Sequence, residues 1–532
     1  MKKLIFLLAF FLTGSVLLAQ TFTNVTISTS NNPNEPSICL NPKNTNIIVA
    51  GANINSYYYS SNGGTVWSPR QALTSSTYGV WGDPCIIVDT IGSFYYFHLS
   101  NPPSGGHWID RMVCQKSTNN GVTWSNPGSF TYYDPLKDQD KEWAVVDPRN
   151  NNIYVSWTQF DSYGSTALTD SSNILFSKST DGGLTWVTWG NGLTAKRINK
   201  LGGDCIDEDN TVEGAVPTVG PNGEVYVAWA GPKIRNQKFG VFFNKSTNGG
   251  QTFMDTNVYV ADQPGGWDYL VGGIYRSNGL PITCCDISNS PYRGYIYINW
   301  TDSAGANDHD VKFVRSTNGG MAWSTPLRVN NDAPGKEQFF SWMTVDQKNG
   351  HIYICYYSRE GLTGNATDFY VAKSTNGGTS FTCMKVSSTP FVPTSSTFFG
   401  DYTNITAYDG HVRPIWIRLD GTSLSVMTAI MDFTTGTETN NQTIPSTYKL
   451  EQNYPNPFNP STNIAYELPK DGIVTLKIYD AIGKEVVTLV NQYQATGKYS
   501  TNWVADKMPS GNYFYRLTAG NYTETKKMSL IK

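Results

Sequence analysis

The sequence predicts an all-β protein, a β-propeller of seven blades followed by a small antiparallel β-sandwich. Three observations carry that prediction. A turn-rich box begins at Ser60, Ser117, Ser179, Ser246, Ser316 and Ser374, with starts 57, 62, 67, 70 and 58 residues apart. A second unit, made of a short strand, a turn and an aromatic strand, recurs seven times among the boxes. A C-terminal stretch then alternates apolar and polar residues at period two, as a half-buried strand does. Repeats of this length, rich in turn residues, mark radial or stacked architectures.

Each box reads Ser-x-Asn/Asp-x-Gly-x-x-Trp/Phe. Asn62, Asn119, Asp181, Asn248, Asn318 and Asn376 can accept from nearby backbone N–H groups. Gly64, Gly121, Gly183, Gly250, Gly320 and Gly378 supply positive φ without a steric cost. Trp67, Trp124, Trp186, Phe253, Trp323 and Phe381 are placed to tuck back under the hairpin as apolar plugs. On these residues the boxes resemble the Asp-boxes, or BNR repeats, of sialidase-type β-propellers. Five of the six carry Asn where that family usually has Asp. A turn survives that change and a general acid does not, so the box is read as a hairpin staple.

Residues 1–19 open with Lys2 and Lys3, continue through an apolar run and end in small residues, the pattern of a secretory signal peptide. No Cys follows the expected cut after Ala19, which argues against a lipoprotein anchor, and no other apolar run is long enough to span a membrane. Charged residues are 15% of the chain, aromatic residues 13%, and the formal net charge is −3. That balance favours strands joined by polar turns and excludes the basic footprint of a nucleic-acid binder. Eight cysteines in an exported chain permit disulfides. Their pairing is not legible; Cys205 is a candidate partner for Cys284 or Cys285, a vicinal bridge between those two is another option, and buried free thiols a third.

The second repeat runs through Glu35–Ala52, Gly82–Leu99, Lys141–Thr158, Glu213–Ala230, Pro281–Asp302, Phe339–Arg359 and Gly400–Asp420. Each unit supplies strands one and two of a blade, and each box joins strands three and four. Seven units against six boxes leave the last blade short, because Ser423–Phe433 gives a third strand and no box. The lone strand Phe22–Thr29 can complete it and close the ring, removing an open edge. Sialidases are six-bladed, so six blades is the alternative that the resemblance implies. The propeller is placed at residues 20–433.

Residues 434–447 are polar and aperiodic and read as a linker. The tail, residues 448–532, closely resembles the type A C-terminal sorting domain of the type IX secretion system. The matching segments are Asn453–Thr462, Tyr479–Gly483, Pro509–Leu517 and the final Lys526–Lys532. That resemblance implies a Bacteroidetes-like outer membrane, passage through the periplasm, the secretion machinery as a partner of residues 448–532, and a secreted or cell-surface destination.

For chemistry, the acidic residues where strand one begins come first: Glu35, Asp83, Glu142, Glu213 and Asp401. Ring geometry brings them toward the channel mouth, where carboxylates could bind Ca²⁺ through oxygen ligands or cleave glycans as acid and base. No specific metal motif supports Ca²⁺, so neither a metal nor another cofactor is predicted. Asp83, Glu213 and Tyr402 are the catalytic candidates, the last two as a mimic of the sialidase Tyr–Glu nucleophile. Glu35, Glu142, Asp401, Arg111 and Arg359 are the ligand-binding candidates, the arginines as carboxylate clamps. Arg235, Arg276 and Arg418 also fall in upper loops. The sialidase Arg-Ile-Pro motif is missing, since Glu35-Pro36 stands in its place, so the enzyme question stays open. Asn307–Asp310 (NDHD) reads either as a metal cluster or as a solvated loop. Trp81, Trp108, Trp267 and Tyr269 are expected to stud the upper face. The expectation is a glycan-directed propeller that binds or hydrolyses glycans or surface glycoproteins; the alternative is an adhesive or protein-binding propeller.

Overall fold

The computed structural model describes residues 22–105, 107–190, 192–305, 307–433, 447–470, 472–494 and 497–531. The signal peptide and residues 434–446 of the linker lie outside the described residues. Two compact units divide the chain at Asp432.

The first unit is a ring of seven four-stranded antiparallel sheets. Their first strands are Ser37–Leu40, Gly82–Val88, Asp138–Val146, Glu213–Val219, Ile282–Cys285, Gln338–Val345 and Asn404–Tyr408, and the blades are numbered 1 to 7 in that order. Each first strand lies beside the next around the ring, and that of blade 7 returns to that of blade 1. The second strands are the core of each blade. Trp157, Trp229 and Trp300 stand at the same place in blades 3, 4 and 5, and each is fully buried. Seven blades are therefore present, and the six-blade alternative is excluded.

Blade 7 is closed by the N-terminal strand. Thr23–Ser28 pairs antiparallel with Ser423–Asp432, Thr23 opposite Ile430 and Thr26 opposite Met427. The outer edge of Ser423–Asp432 is thus covered by a strand from the start of the propeller, which gives blade 7 its fourth strand.

The boxes join strands three and four, and their internal bonding repeats. In the first, Gly64 donates its N–H to Ser60 Oγ at 3.0 Å and Val66 donates to Asn62 Oδ1 at 2.9 Å. In the third, Asp181 does the same work with Thr185 at 3.0 Å. Trp67 tucks back onto its own box as expected, its Nε1–H donating to Gly64 O at 2.9 Å, whereas the aromatics of later boxes plug seams between blades. Trp186 of blade 3 meets Phe97 of blade 2 at 6.0 Å, Phe253 of blade 4 meets Phe176 of blade 3 at 4.9 Å, and Trp323 of blade 5 meets Phe243 of blade 4 at 5.2 Å. Lys178, Lys245 and Arg315, each just before a box serine, donate forward to the carbonyls of Gly249, Gly319 and Gly377 in the next box at 3.0, 2.6 and 2.9 Å. The box is a joint between neighbours.

All eight cysteines are free thiols. Cys205 is not bonded to Cys284 or Cys285, and those two point to alternate sides of the blade 5 first strand, so neither expected bridge forms.

The second unit is a sandwich of a three-stranded and a four-stranded sheet. Its core includes Leu450, Phe458, Ile464, Leu476, Tyr515 and Leu517, all buried.

Candidate functional site

The first strands begin with a repeated kink at the channel mouth. Ladder registers slip between Gly82 and Cys85, Asp140 and Trp143, Glu213 and Val216, and Phe339 and Trp342. The residue inside each bulge is left-handed: Asp83, Lys141, Gly214 and Phe340 have φ of 54°, 53°, 73° and 51°. Glu35 and Gly400 are also left-handed, at 48° and 98°, where blades 1 and 7 begin. Such bulges re-aim side chains, and strained non-glycine residues persist only where surrounding structure enforces them.

The predicted acids do not occupy one step of this kink. Glu35 and Asp83 sit on the left-handed residue, Glu213 one before it, and Glu142 and Asp401 one after. They nonetheless converge on the mouth, with Asp140 from blade 3 and Asp207 from the loop before blade 4. Two bases join them. Lys141 Nζ lies 2.6 Å from Asp401 Oδ2 and 3.9 Å from both Glu35 Oε1 and Asp83 Oδ2. Arg276 grips both oxygens of Asp401, with Nε to Oδ1 at 2.8 Å, and its other nitrogen is 3.6 Å from Asp207 Oδ2.

Arg276 is delivered by an inserted ribbon, Asp268–Tyr269 paired with Ser277–Asn278, between blades 4 and 5. Asn278 adds a bond from its side-chain amide to the Asp401 carbonyl at 2.8 Å. Tyr269 stacks on His309 at 4.2 Å, the buried Trp267 donates to Thr211 O at 3.2 Å, and Arg359 donates to Gly272 O. The ribbon is pinned along its length.

Beneath it lie two small cavities. One, about 50 Å³, is bordered by Asp83, Lys141, Glu142, Trp143, Asp401 and Tyr402 among others. The other, about 30 Å³, is bordered by Lys141, Asp207, Glu213, Trp267, Arg276 and Asp401 among others. Trp143 and Trp342, with ring centres 4.2 Å apart, and Tyr402 at 6.0 Å from each, form the floor. Below that floor the channel widens to about 580 Å³, with a wall drawn from every blade that includes Cys39, Ile87, Val145 and Thr218 as well as the charged Lys43 and Asp89.

Glu142 is 2% exposed and Glu213 is 0% exposed; no other residue donates to the Glu142 oxygens, while Glu213 faces the Asp207 carboxyl, with which it can share a proton. Burial first, and then Asp83, pushes Glu142 well above the ordinary carboxylate range. Burial, followed by Asp207 and Asp140, does the same to Glu213. Burial and Asp83 raise Asp140 to about 8, and burial with Asp83 and Asp401 raises Glu35. Burial alone would also raise Asp401, but Lys141 and Arg276 outweigh it and hold that carboxyl well below its usual value. The mouth thus pairs one firmly ionised acid with several that keep their protons.

The other predicted residues fall into place around this. Asp83 is held by its backbone N–H, which donates to Asn53 Oδ1 at 2.7 Å. Tyr402 and Glu213 border different cavities; the acids acting on Tyr402 are Asp83, Glu35, Glu142 and Asp401, and its hydroxyl has no partner. Arg111 lies away from the mouth, chelating Asp110 at 2.8 and 2.7 Å under the Tyr133 ring. Arg359 anchors the ribbon from outside the cavity lining. The NDHD segment is neither a metal cluster nor a solvated loop: His309 bonds Glu337, and Asp310 is held by Lys312, Arg328 and Asn330. Of the four aromatics expected on the upper face, Trp267 and Tyr269 are buried, whereas Trp81 and Trp108 are 40% and 39% exposed and meet edge to face at 5.6 Å. Among the described residues no group of three or more His, Cys, Asp or Glu is arranged to hold a metal ion.

Lys141, Asp140 and Asp207 escaped sequence reasoning, and Arg276 was seen only as one loop arginine among several. The one available signal was Lys141 itself, a cation inside the acidic start of a first strand.

The chain resembles several solved structures at low identity. A protein of unknown function from Dyadobacter fermentans is 11% identical, with 78% of this chain and 98% of that chain covered and a TM-score of 0.42. The arabinofuranosidase Arb93A of Fusarium graminearum is 10% identical, with 77% and 98% covered and a TM-score of 0.42. A Trypanosoma rangeli sialidase is 9% identical, with 86% and 85% covered and a TM-score of 0.39. The propeller assignment rests on the closed ring of sheets itself. No curated protein matches the sequence. Residues 452–532 match the secretion system C-terminal sorting domain, which marks the chain for export through that machinery to the cell surface or beyond.

Proposed function

We propose that the exported propeller is directed at glycans and takes them at the acid-lined mouth of its channel. One observation carries this reading: Glu142 is buried at the mouth, and no other residue donates to either of its carboxyl oxygens. Buried polar groups in native proteins are almost always satisfied, and the exceptions ask for an explanation such as a ligand or a catalytic role. A carboxyl that keeps its proton near a firmly ionised Asp401 is the division of labour that acid–base chemistry uses. Hydrolysis here would draw its proton from Glu142 or Glu213, with Asp83 and Tyr402 facing the ligand across the larger cavity.

An exposed aromatic pair favours a second reading, capture without cleavage: Trp81 and Trp108 are 40% and 39% exposed and meet edge to face, a surface on which a sugar ring can stack. A screen of the exported protein against a glycan array and fluorogenic glycosides separates the two. Turnover that disappears in E142Q and E213Q supports hydrolysis, and binding without turnover supports capture. A protein that neither binds nor cleaves any glycan overturns both.

A further inference from the structure

Carboxyls far outnumber bases at the mouth. Glu35, Asp83, Asp140, Glu142, Asp207, Glu213 and Asp401 are seven carboxyls, and Lys141 and Arg276 are the two bases among them. Both bases are committed. Lys141 is bonded to Asp401 and within 3.9 Å of two more acids, and Arg276 spans Asp401 and Asp207. A sugar carrying a carboxylate would find both bases already engaged.

What the mouth lacks is a free N–H donor. Glu142 borders the larger cavity with no other residue donating to its oxygens, and Glu213 borders the smaller one beside Asp207. A primary ammonium brings three donors and one positive charge on a compact head. The larger cavity, at about 50 Å³, is roomier than the ~10–15 Å³ a single water needs, so an amine has space beside Glu142.

We infer that the ligand of the mouth is a glycan with free, unacetylated amino groups, one ammonium of which enters beside Glu142. This rests on the reading of the mouth as the glycan site and adds the class of glycan. Entry of the cation makes the ionised form of Glu142 the favoured one, so binding releases protons. The groups facing Glu142 are Asp83, Asp140 and Lys141, and those facing Glu213 are Asp207, Asp140 and Lys141. Of these only Lys141 opposes the incoming charge, and Asp401 already engages it.

The test is calorimetry on the full-length exported protein with four probes of equal length: a glucosamine oligomer, its fully N-acetylated counterpart, a uronic acid oligomer and an oligolysine peptide. Titrations run in two buffers of different ionisation enthalpy, on both sides of neutrality. The glucosamine oligomer should bind on the order of ten-fold more tightly than the acetylated one, a gap of about 1.4 kcal/mol. That binding should release protons, and E142Q should lose the preference while staying folded, with a melting temperature no lower than the parent's. Equal or better binding of the acetylated or uronic acid oligomer overturns the amine inference and leaves the mouth a glycan site. Tighter binding of the peptide overturns the glycan assignment. Silence from all four probes, together with a blank glycan array, overturns the underlying reading as well.

Discussion

Arg413 of blade 7 donates its Nε–H to the carbonyl of Gly63 in the blade 1 box at 2.7 Å, across 350 residues of chain. Blade 7 has no box and no forward-reaching lysine, so this arginine makes the seam bond from a different strand. Its other nitrogen serves Val412 O at 2.9 Å and Asp432 Oδ1 at 2.8 Å. Arg413→Ala should cost about 2–3 kcal/mol in urea unfolding, the range for losing a buried charged hydrogen bond. Arg413→Lys should recover only part of it, because an ammonium lacks the guanidinium fork. An unchanged midpoint in both would leave ring closure to the N-terminal strand alone.

The boxes predict a stability effect separate from the mouth. A Cβ on Gly320 would stand 2.3 Å from the Phe243 ring, at a φ of +81°. Gly320→Ala should therefore destabilise by more than ~1 kcal/mol, and Trp323→Ala, which empties the same seam, by ~3 kcal/mol. Both proteins, once folded, should bind ligand as the parent does. Lost binding in a protein of normal melting temperature would tie the boxes to the site.

Stability should also depend on pH in two opposed ways. Glu142 and Glu213 keep protons in the folded state that the unfolded chain releases from about pH 4.5, so stability declines as pH rises above that value. Asp401, with its lowered native value, contributes in full above about pH 3.8 and loses that contribution as pH falls toward its native value. The melting temperature should peak in mildly acidic buffer. Glu213→Gln should raise it by a few degrees in mildly alkaline buffer and flatten the decline. A variant that tracks the parent at every pH would remove Glu213 from this account.

Deleting residues 448–532 should abolish export and leave the propeller folded, since the chain divides into separate units at Asp432. Secreted protein in the medium, or a collapsed thermal transition, would count against it.

Most of the ring was legible because six of the seven blades announce themselves twice, once in a box and once in an aromatic second strand. Even the closing strand could be placed, since one blade lacked a partner and Phe22–Thr29 had none. The mouth was less legible for two physical reasons. The bulges at Asp83, Lys141 and Gly214 shift which residue of each unit faces the axis, so acids that line up in sequence do not line up in space. The ribbon carrying Arg276 comes from an insertion that belongs to no repeat, and only tertiary contact brings it to Asp401.

Blade 7 draws its four strands from both ends of the propeller, Thr23–Ser28 and Asn404–Asp432. It is consequently the last blade able to form, and its closing pair carries a loop-closure entropy cost set by about four hundred intervening residues. Closure of this kind slows folding. A chain cut short before residue 423 would keep six blades and expose a bare strand edge, the kind of surface that aggregates and attracts quality control. The seventh blade thus works as a test of completeness, passed only by a polypeptide synthesised and moved intact from one terminus of the ring to the other.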